Sequence, residues 1–338
     1  MGNTRTLGLD EALKIARLEY NNIKAMQAFV KERGIDCDLH PSETADIILD
    51  QQQWDAAVEA IDYMRSTMDP DEGAAQYTLH TAGEARERFF TPDAIGAVSY
   101  EAGSVHPYKL VIGILKLALE KGLNLQTNTP ATCLTPVSKS TDIEQTKRWN
   151  VQTPRGTLTA TKVVLATNGY SAHLYPRLQS IIVPLRGQVT AQRPGSSLPK
   201  PSLPTTYSFI YDTGYEYMIP RPPGSRYAGD IVIGGGLTKA AEDGLFEYGT
   251  VDDTCLNDVI SAYLKGSNVN YFKGNWGDDD PEGRVRREWT GIMGYSADGC
   301  PFVGAVPGDE GLYISASFQG HGEFPLTANA RPFRPPFY

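Results

Sequence analysis

Residues 288–322 read EWTGIMGYSADGCPFVGAVPGDEGLYISASFQGHG, and no other stretch of the chain is as informative about the fold. Six glycines, at positions 291, 294, 299, 304, 308 and 311, divide it into tight turns. An apolar run at 312–318 then ends in Gln319, Gly320, His321 and Gly322. The pattern predicts a buried strand that runs into a glycine loop, where backbone N–H groups can approach a ligand closely.

The residues after this loop depart from the expected pattern. A helix whose N-terminus faces the ligand should follow such a loop. Residues 323–338 instead read EFPLTANARPFRPPFY, and the four prolines of this segment cannot continue a helix. We therefore predict an irregular tail over 323–338.

Composition places the chain among globular proteins. At 338 residues it is long enough for two domains, and a hydrophobic fraction of 41% permits a sizeable core. The four cysteines lie far apart, without a CxxC pair or a neighbouring histidine cluster, which favours a reducing compartment and predicts neither a disulfide framework nor a metal site. They are Cys37, Cys133, Cys255 and Cys300.

Charge and hydropathy narrow the choice of partners. A net charge of -9 with scattered lysines and arginines argues against nucleic acid. No apolar segment approaches the ~20 residues that cross a bilayer, and the N-terminus lacks a signal-peptide pattern. We expect a cytoplasmic protein that acts on a small molecule; the sequence does not indicate its oligomeric state.

Local signals predict several elements of the first half. A helical period from Leu9 ends at Gly34, and Thr81 with Glu84 forms a capping-box pattern. Pro107 stands where a helix should begin. We expect that helix to bury the stripe of Leu110, Val111, Ile114, Leu117 and Ala118, and a strand to follow at 123–127.

Three segments share a strand that opens into small or amide-bearing residues. They are 103–107 (GSVHP), 163–170 (VVLATNGY) and 313–322 (YISASFQGHG). The run KVVLA at 162–166 predicts a parallel strand covered on both faces. In an open α/β sheet, ligands bind beyond the carboxyl ends of the strands, so these loops can converge on one pocket. Beyond Gly169, short apolar runs between turn residues predict an antiparallel sheet.

The chain resembles the FAD-dependent amine and amino-acid oxidoreductases of the D-amino-acid oxidase superfamily, which includes sarcosine, glycine and gamma-glutamylputrescine oxidases. The segments that match, in family order, are LGLDEALKIARLEYNNI, GIDCD, GSVHPYKL, VVLATNGY, VPLRGQ, YMIPRP with IVIGGG, and WTGIMGYSADGCPFVG with SFQGHG. The PLRGQ motif and the final block are the most specific of these.

The resemblance implies an α/β (α+β) fold in which a Rossmann-like FAD domain is joined to a mostly antiparallel substrate-binding sheet. It assigns 1–34, 101–180 and 286–322 to the FAD domain, and 35–100 and 181–285 to the substrate domain. It also implies oxidation of a C–N bond by hydride transfer to flavin, with a small amine or amino acid as substrate. The sequence identifies neither the particular substrate nor the electron acceptor.

Carried over residue by residue, the resemblance implies two sets of site residues. The expected catalytic set is Gln188, Tyr217 and Arg221. The expected cofactor-binding set is His106, Ala166, Thr167, Asn168, Pro184, Arg186, Gly320, His321 and Gly322. Some relatives bind FAD covalently through a cysteine near the position that Gly291 occupies here, so we expect noncovalent FAD and no metal.

The family pattern is incomplete in this sequence. No GxGxxG loop opens a helix after a first strand, and the glycines at 234–236 lack the spacing, strand and acid of that motif. We expect a member cut at both FAD-binding ends, with impaired FAD binding. Two alternatives stay open: an enzyme whose missing unit is a separate polypeptide, or a non-catalytic binding protein. Individual residues also have structural alternatives. Arg186 and Arg221 could form surface ion pairs, Tyr217 could be a packing residue, and His106 could cap a helix.

Overall fold

The computed structural model describes residues 8–137, 148–212 and 214–320. Its helices are α1 Leu9–Arg33, α2 Gln51–Thr67, α3 Ala82–Arg88, α4 Pro107–Glu120, α5 Ser171–Leu174 and α6 Asp258–Phe272. Its strands are β1 His40–Ile48, β2 Tyr77–Thr81, β3 Gly96–Ser104, β4 Cys133–Pro136, β5 Trp149–Thr153, β6 Gly156–Ala160, β7 Val163–Leu165, β8 Val183–Gln192, β9 Thr206–Tyr211, β10 Gly214–Pro220, β11 Ile231–Gly234, β12 Val285–Tyr295, β13 Phe302–Ala305 and β14 Leu312–Ala316. None of the helices in these ranges is long and apolar enough to cross a membrane.

The chain divides into two compact units. Unit 1 comprises Met1–Leu117, Gly187–Phe246 and Thr254–Thr290, and unit 2 comprises Ala118–Arg186, Glu247–Asp253 and Gly291–Tyr338. Which ranges bind the cofactor and which bind the substrate stays a prediction. The predicted tail at 323–338 lies outside the described residues.

Unit 1 is built on an eight-stranded sheet in the order β12-β8-β11-β10-β9-β1-β3-β2. The pairs β1–β3, β2–β3, β9–β10, β10–β11 and β8–β11 are antiparallel, and β1 runs parallel to β9. This is the mixed α/β class with a large, mostly antiparallel sheet that the sequence predicts.

One face of this sheet carries the main core. Alternate strand residues such as Ile47, Phe209 and Met218 are fully buried, and they cluster with Phe272 of α6 and with Trp276. Because side chains alternate across a strand, the intervening residues face the opposite side of the sheet. That opposite face is only partly covered, by the side chains of Trp54, Ala57 and Ile61 of α2 packed on β1 and β3.

Unit 2 contains two small sheets. One has the order β13-β14-β7, with β14 antiparallel to β13 and parallel to β7, and the other has the order β4-β5-β6. Leu165, Leu178, Ile182, Leu312 and Ile314 form the centre of its core. The parallel pairing brings the carboxyl ends of β7 and β14 to the same edge.

Several local sequence signals are confirmed. Helix α1 ends at Gly34, whose positive φ of 63° allows its N–H to bond to the carbonyl of Lys31. Thr81 and Glu84 form the predicted capping box of α3. Helix α4 begins at Pro107, where the missing N–H leaves no hydrogen bond unmade.

Three packing predictions are wrong. No residue of α4 is buried; Val111 is 52% exposed and Ile114 is 41% exposed, since a helical apolar period identifies a face but supplies no partner for it. Residues 123–127 follow the turn at Gly122 and form no strand, because they pair with no other strand among the described residues. Strand β7 is not covered on both faces, since Val164 is 60% exposed.

A carboxylate is buried in the sheet of unit 1 on the same face as the main core. Glu216 of β10 is fully buried and accepts hydrogen bonds from the Tyr211 hydroxyl at 2.7 Å, from the Gly236 N–H at 3.1 Å and from the Tyr271 hydroxyl. Burial and the charge of Glu216 raise the pKa of Tyr271. The carboxylate therefore links two strands, a loop and helix α6.

We predict that Glu216→Ala lowers the free energy of unfolding by about 3–5 kcal/mol, because the substitution leaves buried hydroxyls without an acceptor and opens a cavity. Urea denaturation measures the change. Glu59→Ala, at an exposed position of α2, is the matched control and should change stability by less than about 0.5 kcal/mol. An equal effect of both substitutions contradicts the prediction.

Candidate functional site

Three segments of unit 2 meet at the edge where β7 and β14 end. They are residues 166–170 after β7, 293–295 at the end of β12, and 317–320 after β14. A Cβ on Gly294 would lie 2.8 Å from the Asn168 Oδ1, and a Cβ on Gly169 would lie 2.5 Å from the Met293 carbonyl oxygen. Glycine is required at both positions because the backbones approach too closely for a side chain.

Asn168 joins two of these segments through its side chain. Its Oδ1 accepts from the Ser317 N–H at 2.8 Å and from the Phe318 N–H at 3.4 Å. The residue has a positive φ of 44°, a conformation that asparagine tolerates better than most residues. Asn168 thus fixes the loop after β14 to the loop after β7.

Gln319 links the loop after β14 to residues 293–295 at the end of β12. Its backbone N–H bonds to the Gly294 carbonyl at 3.1 Å, and its Nε2 donates to the Ser296 Oγ at 2.9 Å and to the Ser317 Oγ at 2.9 Å. Ser317, Gln319 and Gly320 all have positive φ values, of 65°, 55° and 81°. Such clustered unusual conformations are typical of ligand-binding loops.

The remaining predicted cofactor-binding residues of unit 2 have different surroundings. Ala166 and Thr167 are exposed small residues at the end of β7. Pro184 accepts the Gly249 N–H at 2.8 Å through its carbonyl oxygen. Arg186 is buried and donates through Nε to the Glu247 carboxylate at 2.7 Å and through Nη1 to the Asp252 carbonyl at 3.2 Å, so it holds residues 247–252 in place. His321 and Gly322 lie outside the described residues.

The partly covered face of the unit 1 sheet contains Tyr217. The register aligns Tyr217 with Gly234 on β11, with Ser208 on β9 and, through Ser208, with Asp46 on β1, so these residues form one row across four strands. A Cβ on Gly234 would lie 2.4 Å from the Tyr217 Cζ, which shows that the phenol lies directly over this glycine. Burial, followed by the nearby Tyr215, raises the pKa of Tyr217 to about 12.

Gln188 lies on the opposite, buried face of the same sheet. Its side-chain amide accepts from the Asn257 N–H at 2.8 Å and donates to the Asn257 carbonyl at 3.3 Å. Asn257 is in turn the N-cap of α6, where its Oδ1 accepts from the Val259 N–H at 3.0 Å. The contacts of Gln188 therefore position the start of that helix.

Arg221 and His106 lie near one acid of unit 1. The Arg221 Nη2 is 3.8 Å from Asp38 Oδ2, while the Lys109 Nζ is 2.7 Å from Asp38 Oδ1. The backbone N–H of His106 donates to the backbone carbonyl of Cys37 at 2.8 Å. Among the described residues, Asp38 Oδ2, Arg221 Nε and His106 Nδ1 are buried without a hydrogen-bond partner. Buried polar atoms of this kind usually contact a water molecule or a ligand.

Sequence reasoning missed Asp46, which lies in the same row as Tyr217. The Tyr100 hydroxyl is 3.5 Å from Asp46 Oδ1, and Ser208 donates a second side-chain hydrogen bond. Burial raises the pKa of Asp46 to about 6, although the hydrogen bonds from Ser208 and Tyr100 favour the ionised form. The available signal was an acid inside the apolar strand segment TADIIL, but only the strand pairing shows that it shares a face with Tyr217.

The model of the FAD-dependent oxidoreductase family matches residues 3–325, and the chain belongs to this family. FAD is therefore the cofactor of its class. The loop edge of unit 2 fits a flat cofactor, because Ala166 and Thr167 are small and exposed and the exposed Gly320 adds no side chain.

Individual relatives are distant. Gamma-glutamylputrescine oxidoreductase of Escherichia coli K12 is 23% identical over 327 residues, which are 94% of this chain and 66% of that protein. Glycine oxidase of Pseudomonas putida KT2440 is 28% identical over 186 residues, 54% of this chain and 43% of that protein. The chain thus spans less than two thirds of the length of these relatives.

Solved structures show the same fold. Glycine oxidase from Geobacillus kaustophilus superposes with a TM-score of 0.70 at 20% identity, over 91% of this chain and 74% of that chain. L-proline dehydrogenase from P. horikoshii superposes with a TM-score of 0.68 at 18% identity, with the same two coverages. The likeness confirms the predicted fold class.

We predict that Asn168→Ala lowers the free energy of unfolding of unit 2 by about 2 kcal/mol, since it removes the one oxygen that accepts two backbone hydrogen bonds and places alanine at a positive φ. Hydrogen exchange followed by mass spectrometry should show faster exchange of the Ser317 and Phe318 amides. Asn168→Asp keeps an acceptor oxygen and serves as the control; equal exchange in both variants contradicts the assigned role.

We predict that Asp46→Asn makes the protein more stable at pH 7.5 but not at pH 4. The pKa of Asp46 is raised from its usual 3.8 to about 6, so the native state binds the proton more tightly and the acid destabilises the fold as pH rises through that window. The difference in melting temperature between variant and wild type, measured from pH 4 to 7.5, should therefore grow with pH. A difference that is constant with pH contradicts the prediction.

Proposed function

We propose that this chain is an FAD-dependent oxidoreductase that oxidises the C–N bond of an amine or amino acid. Family membership supports the cofactor, and the different surfaces of the two units support the division of roles. Unit 2 has a glycine-tight loop edge suited to a flat cofactor, and unit 1 has a half-exposed sheet face lined by polar and aromatic side chains. The single observation that carries the proposal is the junction of residues 166–170, 293–295 and 317–320 at the ends of parallel strands.

The chain's own residues would contribute orientation and local polarity to this reaction. Bound FAD supplies a hydride acceptor for the carbon next to the nitrogen. Backbone amides of the loop after β14, held by Asn168 and Gln319, are suited to stabilise negative charge on a bound ligand. Tyr217 offers a phenol that stays neutral below a pH of about 12, so it can orient a substrate by hydrogen bonding without adding charge.

The predicted roles of the other residues receive unequal support. Within the part of the chain that the structure describes, Arg221 Nε and His106 Nδ1 are buried without a hydrogen-bond partner, which supports the proposal that they contact a bound polar group. Gln188 and Arg186 already engage Asn257 and Glu247, so we assign them to positioning loops next to the site. The predicted cytoplasmic location also stays a proposal.

The decisive experiment is reconstitution of the purified full chain with FAD. We expect retained absorbance near ~450 nm after removal of free flavin, and loss of that band when an oxidisable amine is added without oxygen. Tyr217→Phe should keep the band but slow its loss by roughly tenfold, the effect of about one lost hydrogen bond. A correctly folded chain that retains no flavin overturns the proposal and favours a non-catalytic binding protein.

A further inference from the structure

A half-buried acid, Asp46, lies on the partly covered face of the unit 1 sheet. None of the ion pairs among residues 8–137, 148–212 and 214–320 includes Asp46, whereas two other acids near this sheet, Asp230 and Glu43, pair with arginines. Asp46 accepts hydrogen bonds only from neutral hydroxyls, those of Ser208 and Tyr100. A carboxylate in such surroundings is poorly compensated.

Aromatic rings border the same acid. Tyr100 of β3 and Tyr77 of β2 are paired in the sheet register, and their ring centroids are 5.3 Å apart at an angle of 55°. An acid beside aromatic faces is the usual chemistry of sites that bind organic ammonium groups, because both attract a positive charge. Glu19 of α1 adds negative charge nearby, since it helps to raise the pKa of both tyrosines, after burial as the main cause.

The position of Asp46 relative to Tyr217 limits the kind of ligand. They lie in one row two strands apart, which places their Cα atoms about 9–10 Å from each other, and the Tyr217 phenol lies over Gly234 of β11, on the side away from Asp46. A ligand that contacts both side chains must therefore have two polar ends separated by a spacer of several bonds. A compact amino acid such as glycine is too short to do so.

We propose that Asp46, with Tyr77 and Tyr100, binds a second, positively charged nitrogen of the substrate, which makes the substrate an α,ω-diamine or a longer polyamine-like amine. The inference rests on the proposed function, because it names the substrate class of that site. Holding the distal nitrogen as an ammonium leaves the reacting nitrogen free to be uncharged, as hydride removal from the neighbouring carbon requires. The net charge of -9 further favours a cationic ligand.

The test is calorimetric binding of 1,4-diaminobutane and of butylamine to the full chain, with and without saturating FAD. Binding needs no turnover, so this result is separate from success or failure of the oxidation assay. For wild type we expect the diamine to bind at least tenfold more tightly than the monoamine. Asp46→Asn should weaken diamine binding about 10-fold to 100-fold and leave butylamine unchanged.

Glu43→Gln is the matched control, since it removes the same charge from the same strand at an exposed residue paired with Arg88. It should leave diamine binding unchanged. Diamine affinity of the wild type should also fall as pH drops through about 6, where Asp46 becomes protonated, while the affinity of Asp46→Asn stays flat. The other titratable groups that face Asp46 do not reverse this expected pH dependence. Tyr77 and Tyr100 stay neutral because their pKa values are raised, and Glu19 loses its charge in the same direction as Asp46.

Three outcomes overturn the proposal. They are absence of a diamine preference in wild type, equal loss of diamine and butylamine binding in Asp46→Asn, and equal weakening by Glu43→Gln. The second would mean that Asp46 binds the reacting nitrogen or only supports the fold. Loss of flavin binding with an intact diamine preference would instead contradict the proposed oxidation alone.

Discussion

The strand register of the eight-stranded sheet is the constraint on which unit 1 depends. A slip of one residue would turn every side chain to the other face, exchanging the apolar set of Ile47, Phe209 and Met218 for the polar set of Asp46, Ser208 and Tyr217. Burial of the apolar set against α6 fixes the register, with Phe209 stacked on Tyr271 at a centroid distance of 3.7 Å. The register fixed in this way also determines which side chains lie on the half-exposed face.

Close backbone approach is the corresponding constraint in unit 2. Gly169 and Gly294 admit no Cβ where the loops meet, and Asn168 and Gln319 then use side-chain amides to hold the loops together. Both glycines are buried, so they serve the packing of the loops, whereas Ala166, Thr167 and Gly320 are the exposed small residues of this edge. The close approach of the loops thus explains why glycine and small residues recur in this part of the sequence.

Signals that act within a few residues of each other could be predicted from the sequence. The helix stop at Gly34, the capping box of Thr81 and Glu84, and the helix start at Pro107 depend on local backbone chemistry and are confirmed. The apolar stripe of α4 was misjudged because amphipathicity does not reveal whether a partner element exists. Asp46 was overlooked because its significance depends on pairing with β9, some 160 residues away, as the register of Asp46 with Ser208 shows.

Two carboxylates on opposite faces of the eight-stranded sheet, Glu216 and Asp46, differ in how fully the protein satisfies their hydrogen-bonding capacity. Glu216 accepts hydrogen bonds from two tyrosine hydroxyls and a backbone N–H, so most of the acceptor capacity of its carboxylate is used by the protein. Asp46 has two neutral donors, one of them at the long distance of 3.5 Å, and it keeps unused capacity on a face that solvent can reach. An acid that served only the fold would be expected to resemble Glu216. Burial raises the pKa of Asp46 despite these two hydrogen bonds and so weakens the fold at neutral pH, and a ligand cation is the group that would remove that cost.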